Sequence, residues 1–128
     1  MGRYPHDGRP VVVAAPPVGT VLCRLADITD PGGRGFSFGQ PPQQVSLFVV
    51  RQGERAFAYV NDCPHARSPL DWVPDQFLDP TRTYIQCSTH GAKFRISDGY
   101  CVSGPCMGDA LTRISIAVRD GDVVIAED

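Results

Sequence analysis

Val60-Asn61-Asp62-Cys63-Pro64-His65 and Tyr84-Ile85-Gln86-Cys87-Ser88-Thr89-His90-Gly91 decide how this chain is read. Each segment ends a short apolar run with one thiolate and one imidazole. The chain has only three histidines, and two of them stand here. Cys63, His65, Cys87 and His90 therefore form a candidate two-Cys, two-His metal site. Soft thiolates suit zinc or iron–sulfur clusters, and imidazole suits zinc or iron. The unequal spacing separates these options. Zinc motifs usually leave roughly two to four residues between paired ligands. Cys87 and His90 fit that rule, but the spacing of Cys63 and His65 is tight for both to reach one ion in good geometry, so a single tetrahedral zinc is the main rival reading. A two-iron cluster removes the difficulty, because the two ligands of a loop can go to different irons.

Working outward, both ligand pairs are preceded by strand signals. Val45–Val50 and Ala56–Asn61 read as strands joined by Arg51-Gln52-Gly53-Glu54, and the second delivers Cys63. Tyr84–Gln86 reads as a short strand that delivers Cys87, and Lys93–Ile96 follows with a turn at Ser97-Asp98-Gly99. Thr20–Leu25 is an expected first strand. Residues 26–33 read as a turn, and 34–44 as a loop with a short extended piece at Phe36–Phe38. A last hairpin spans 111–118 and 123–126 around Asp120-Gly121-Asp122, with Leu111 out of phase by one. No amphipathic helix longer than two turns is expected, so the fold class is all-β. Residues 1–17 carry four prolines without periodicity and read as an extended or disordered arm. Residues 18–128 form the domain.

Bulk properties narrow the class. The length of 128 residues matches one domain with a modest core. Gly 13 and Pro 12 favour turns and short strands over long helices. A net charge of −2 argues against nucleic acid, which wants a basic face. No window approaches the roughly 18 continuous apolar residues of a membrane span. Val11-Val12-Val13-Ala14-Ala15 stops at Pro16-Pro17 and is too short for a secretory signal. A cytoplasmic location is the expectation. Five cysteines, an odd number, argue for ligands and buried thiols over a disulfide scaffold.

Cys-x-His followed by Cys-x-x-His resembles the motif of the Rieske iron–sulfur family. Gly91 follows the second histidine, Phe94 stands at the family's aromatic position, and Gly104-Pro105 matches its proline loop. The resemblance covers roughly residues 20 to 126. It implies an antiparallel β-sandwich with a small cluster-binding subdomain and a [2Fe-2S] cluster. Cys63 and Cys87 would hold one iron, and His65 and His90 the other, near the surface. Two departures concern the first loop. Twenty-one residues separate His65 from Cys87, somewhat more than in ferredoxin-type relatives, and Arg67 stands where many relatives have Gly.

The ligand set has an electrostatic consequence. An oxidised [2Fe-2S] core carries two positive charges, so two thiolates and two neutral imidazoles make the site neutral, whereas four thiolates make it a dianion. Histidine ligation raises the potential from roughly −400 mV to roughly −150 mV or above. The high-potential members of the family add a second Cys to each ligand loop and place Ser and Tyr hydroxyls after the second loop. This chain lacks both cysteines and has Ala92 and Phe94 at the hydroxyl positions. Fewer donors to sulfur lower the potential. The expected activity is one-electron carriage at low potential, from a reductase to an oxygenase or similar enzyme. The chain would be an electron-transfer protein, not itself an enzyme. The alternatives are an accessory subunit resembling the small subunit of assimilatory nitrite reductase, and a structural zinc module.

Other residues have plainer readings. Cys101 and Cys106 flank Gly104-Pro105 and read as two buried thiols, with a disulfide that stiffens the loop as the rival. Cys23 reads as core and His6 as solvated. Leu70, Trp72, Phe77 and Leu78 read as a satellite core shielding the cluster, with a partner-docking surface as the rival. Arg67, Lys93 and Arg95 read as a solvated rim.

Overall fold

A computed structural model gives an all-β chain and describes residues 16–39, 45–64, 69–71, 73–88 and 91–127. Residues 1–15 of the expected arm lie outside them. Among the described residues ten strands form three antiparallel sheets. The first sheet has the order β1 (Val21–Arg24), β10 (Asp122–Ile125), β9 (Ile116–Arg119). The second has the order β2 (Gly32–Phe38), β3 (Val45–Gln52), β4 (Arg55–Val60), β8 (Arg113–Ile114). The third is β5 (Tyr84–Gln86), β6 (Lys93–Arg95), β7 (Cys101–Ser103). The helical content of the described residues is one 3-10 turn at Leu25–Asp27.

The second sheet is the centre of the molecule, and its sequence says why. Side chains alternate between the faces of a strand. Leu47, Val49, Ala58 and Val60 pack with Cys23, Val123 and Ile125 in one core. Phe48, Val50 and Tyr59 pack with Cys63, Phe77, Ile85, Cys87 and Phe94 in the other. β3 is thus covered on both faces, which is why Leu47-Phe48-Val49-Val50 is a continuous apolar run and not an alternating one. Cys23 sits in the first core as expected, and burial pushes its thiol pKa up.

Three elements depart from the sequence-based expectations. β2 begins at Gly32 and pairs along its whole length with β3, so the expected extended piece at Phe36–Phe38 is the end of a seven-residue strand that starts inside the expected turn. Its glycines suggest a loop, but they make room: a Cβ on Gly33 would stand 3.0 Å from Phe77 Cδ2. β7 was hidden by its shortness beside Gly104-Pro105. The expected single strand over 111–118 is two strands. Arg113–Ile114 pairs with β4, and Ile116–Arg119 pairs with β10. The chain changes sheets at Ser115, whose carbonyl accepts from Ala126 N–H at 3.0 Å. The phase slip at Leu111 arises earlier: Leu111 packs in the core of Tyr59 and Phe94, whereas Ile114 packs in the core of Val60 and Val123. The closing turn fits its chemistry: Asp120 and Gly121 have φ of 52° and 81°, as a two-residue type I′ turn requires.

Candidate metal centre

Cys63 lies three residues beyond the end of β4, and Cys87 directly follows β5. Both are buried, at 1% and 0% exposure, in the same apolar core. His65 and His90 lie outside the described residues, as do Arg67, Trp72 and His6.

The backbone around the two cysteines is closed by specific hydrogen bonds. Cys87 N–H donates to Ala92 O at 2.9 Å, and Gly91 N–H donates to Cys87 O at 2.9 Å. Cys87 and Gly91 therefore stand at the end of the β5–β6 pairing. The two ligand-bearing segments are also laced together. Asn61, just after β4, accepts Leu70 N–H on its Oδ1 at 2.8 Å, and Leu70 O accepts Ser88 N–H at 3.0 Å. Asn61 Nδ2 donates to Asp71 Oδ1 at 3.0 Å. Asn61 is 9% exposed, so these bonds are largely removed from competing water. Nothing in the ligand motif itself points to Asn61. A signal was available in hindsight, since an amide at the end of an apolar strand needs buried partners.

The surroundings of the cysteines are apolar. Ala92 and Phe94 are 1% and 0% exposed in the core that holds Cys63 and Cys87, and neither side chain has a hydrogen-bond donor. Tyr59 brings a hydroxyl into this core but donates it to Ile96 O at 2.6 Å. Burial, followed by the nearby Asp98 charge, pushes the Tyr59 pKa up to about 12.

The described part of the segment between the ligand pairs packs its apolar residues inward. Leu70 and Phe77 are 0% and 1% exposed, Leu78 packs against the same core, and the Phe77 ring stacks on Phe48 at 4.3 Å and 7°. These residues match the satellite-core reading. The two cations of the expected rim that can be described are both ion-paired: Lys93 with Asp79 at 3.3 Å and Arg95 with Asp98 at 2.6 Å.

Asp79 is the most deeply buried carboxylate among the described residues, at 2% exposure. Its carboxylate accepts Thr81 Oγ1–H at 2.8 Å, Thr83 N–H at 3.0 Å and Tyr84 N–H at 3.2 Å. Burial is the largest single influence and raises its pKa. The hydrogen bonds from Tyr84, Thr81 and Thr83, with Lys93, together outweigh burial and hold the carboxyl below its ordinary value. A depressed pKa stabilises the fold above the unfolded-state value, about 3.9 for Asp, and the gain is lost as pH falls through the folded-state value. Asp79→Asn is expected to cost about 2 kcal/mol at neutral pH, because hydrogen bonds to a charged group are replaced by weaker ones. Melting temperatures of both proteins across pH check this. The gap between them is full at pH 7 and shrinks as pH drops below about 4; a gap independent of pH would refute the assignment.

The Rieske [2Fe-2S] domain family matches residues 20–119, most of the chain. The chain belongs to the Rieske family. Membership implies a [2Fe-2S] cluster as the cofactor, and the donor set fits it: two buried thiols at adjoining strand ends suit a site that keeps water from sulfur. This Rieske chain is similar in structure to the ferredoxin of carbazole 1,9a-dioxygenase from Nocardioides aromaticivorans IC177, with 20% identity and a TM-score of 0.66 over 88% of this chain and 100% of that one. It is also similar to the Sphingomonas yanoikuyae B1 ferredoxin, with 26% identity and a TM-score of 0.64 over 86% of this chain and 99% of that one. A third likeness is to a chain in the complex of reduced oxygenase and oxidised ferredoxin of carbazole 1,9a-dioxygenase, with 22% identity and a TM-score of 0.65 over 85% of this chain and 93% of that one. No curated protein matches the chain in sequence. Among the described residues no helix is long and apolar enough to cross a membrane.

Proposed function

We propose that this Rieske protein is a one-electron carrier of the ferredoxin type, which receives an electron from a reductase and passes it to an oxygenase or similar enzyme. When bound, the [2Fe-2S] cluster supplies reversible one-electron chemistry. Cys63 and Cys87 would hold one iron as thiolates, and His65 and His90 the other as imidazoles. The chain's own part is to fix these donors and exclude water from the sulfurs. The observation that carries the reading is the Asn61–Leu70–Ser88 hydrogen-bond chain, which holds the two cysteine-bearing segments together. A rigid donor frame limits rearrangement between redox states, which suits a carrier. The ferredoxins similar in structure support the partner class, since one was crystallised with its oxygenase.

The potential follows from the surroundings. Ala92 and Phe94 give no hydroxyl to a sulfur, and the Tyr59 hydroxyl is already committed to Ile96 O. Ala92, Phe94 and Tyr59 therefore add no hydroxyl donor that would stabilise the reduced state. The midpoint is expected near −150 mV, the low end of the Rieske range of roughly −150 to +300 mV. A potentiometric titration followed by visible absorbance measures it, and a midpoint well above zero would contradict the low-potential reading. Purification separates the free carrier from an accessory subunit. A free carrier elutes alone and reduces an oxygenase, whereas an accessory subunit stays bound to a larger catalytic chain.

A further inference from the structure

Of the three cysteines outside the candidate cluster site, Cys23 lies in the other core and two stand close together. Cys101 opens β7, and Cys106 lies five residues on, past Gly104-Pro105. Both are buried, at 0% and 2% exposure. Their sulfurs stand 2.9 Å apart without a disulfide between them.

The backbone sets this approach. Cys101 N–H donates to Asp109 O at 2.9 Å, Asp109 N–H donates to Cys106 O at 2.9 Å, and Met107 N–H donates to Gly104 O at 3.2 Å. Gly104 adopts φ 101°, which turns the chain back. The two thiols are thus held opposite one another by a closed turn. Shortening the gap to a disulfide, about 2.05 Å, takes less than about 1 Å of movement. The turn also touches the candidate metal centre. A Cβ on Gly104 would come 2.8 Å from Ala92 Cα, so the loop lies directly on the residue whose carbonyl closes the second ligand segment. Ala92, Cys101 and Cys106 share one core with Cys63 and Cys87.

We propose that Cys101 and Cys106 are an oxidisable dithiol whose disulfide locks the Gly104-Pro105 loop over the candidate metal centre and slows loss of its metal. The oxidant class is a low-molecular-weight disulfide such as glutathione disulfide. One thiol gives up its proton and attacks a glutathione sulfur. A mixed disulfide forms and one reduced glutathione leaves. The second thiol then displaces the bound glutathione and forms the Cys101–Cys106 bond. The protein loses two electrons and two protons, and one glutathione disulfide becomes two glutathiones. The outer part of the loop supplies access, since Ser103, Gly104, Pro105, Met107 and Gly108 are exposed. Both sulfurs are buried, at 0% and 2% exposure, and this limited access slows the first attack. The site therefore responds to sustained oxidation and is not a fast sensor.

The metal-loaded protein is equilibrated without oxygen in glutathione buffers of increasing oxidised fraction. It is then denatured, alkylated and cut with trypsin. Peptide 96–113 contains Cys101 and Cys106 and no other cysteine. The expected product in oxidising buffer is this peptide lacking two hydrogens and carrying no alkyl group. Chelator-driven metal release, followed by metal content, should then be several-fold slower than from the reduced protein. Cys101→Ser and Cys106→Ala should each abolish both effects, so the failure of one variant to fold leaves the other to decide. Thiols that stay alkylated in every buffer, stable glutathione adducts, or a disulfide that leaves metal release unchanged would each overturn the proposal. The thiol readout does not depend on the electron-carrier reading. A zinc-loaded, colourless protein would refute that reading while the peptide result still decides the disulfide.

Discussion

Cys87→Ala is expected to leave a folded protein with no visible absorbance and only background iron. Cys87 is 0% exposed and directly follows β5. The bonds that shape its loop, Cys87 N–H to Ala92 O and Gly91 N–H to Cys87 O, involve backbone atoms only. The substitution therefore removes a thiolate without removing the turn. Its packing cost is small, because Cys and Ala differ by one sulfur, whereas a cluster short of one thiolate ligand is not retained. Cys23→Ala is the matched control. That thiol is also buried, at 9% exposure, but it lies in the core on the other face of the second sheet. Iron content and the red-brown colour should be full in Cys23→Ala and absent in Cys87→Ala. Full iron in Cys87→Ala would remove this residue from the ligand set.

The second large effect is in stability. Phe77→Ala is expected to cost about 3–5 kcal/mol, the usual range for deleting a buried aromatic side chain. Phe77 is 1% exposed, stacks on Phe48 at 4.3 Å and sits against the glycines of β2, where Gly33 leaves no room for a Cβ. The rigid strands around it cannot collapse into the space it leaves. Total stability of a domain this size is about 5–15 kcal/mol, so the loss is a large share. The melting temperature should fall by more than about 10 °C. Gln76→Ala, at an exposed neighbouring position, should stay close to the parent. If the Phe77 segment served partner docking alone, Phe77→Ala would weaken binding and leave the melting temperature unchanged.

The comparison of sequence with structure follows from how local each signal is. Tyr84–Gln86 was legible to the residue, because a three-residue apolar strand ends abruptly at a ligand. The ligand motif was legible because two short spacings carry it. Gly32-Gly33-Arg34-Gly35 was not legible as strand, because its glycines answer to a ring supplied more than forty residues later. The break at Ser115 was not legible, because Ile114, Ile116 and Val118 keep one alternation while the stretch is divided between two sheets. Asn61, Leu70 and Ser88 carry no motif, since their link runs through one amide side chain and backbone groups that meet only in the fold. Cys101 and Cys106 were readable as buried thiols. Their 2.9 Å approach depends on the Gly104-Pro105 turn and was not.

The electron paramagnetic resonance spectrum of the dithionite-reduced protein tests the ligand division most directly. Two histidines on one iron lower the average g-value relative to a cluster held by four cysteines. The account predicts a spectrum with that lowered average from a red-brown protein. An average g-value of the all-cysteine type would contradict it, as would a colourless, zinc-loaded protein with no signal.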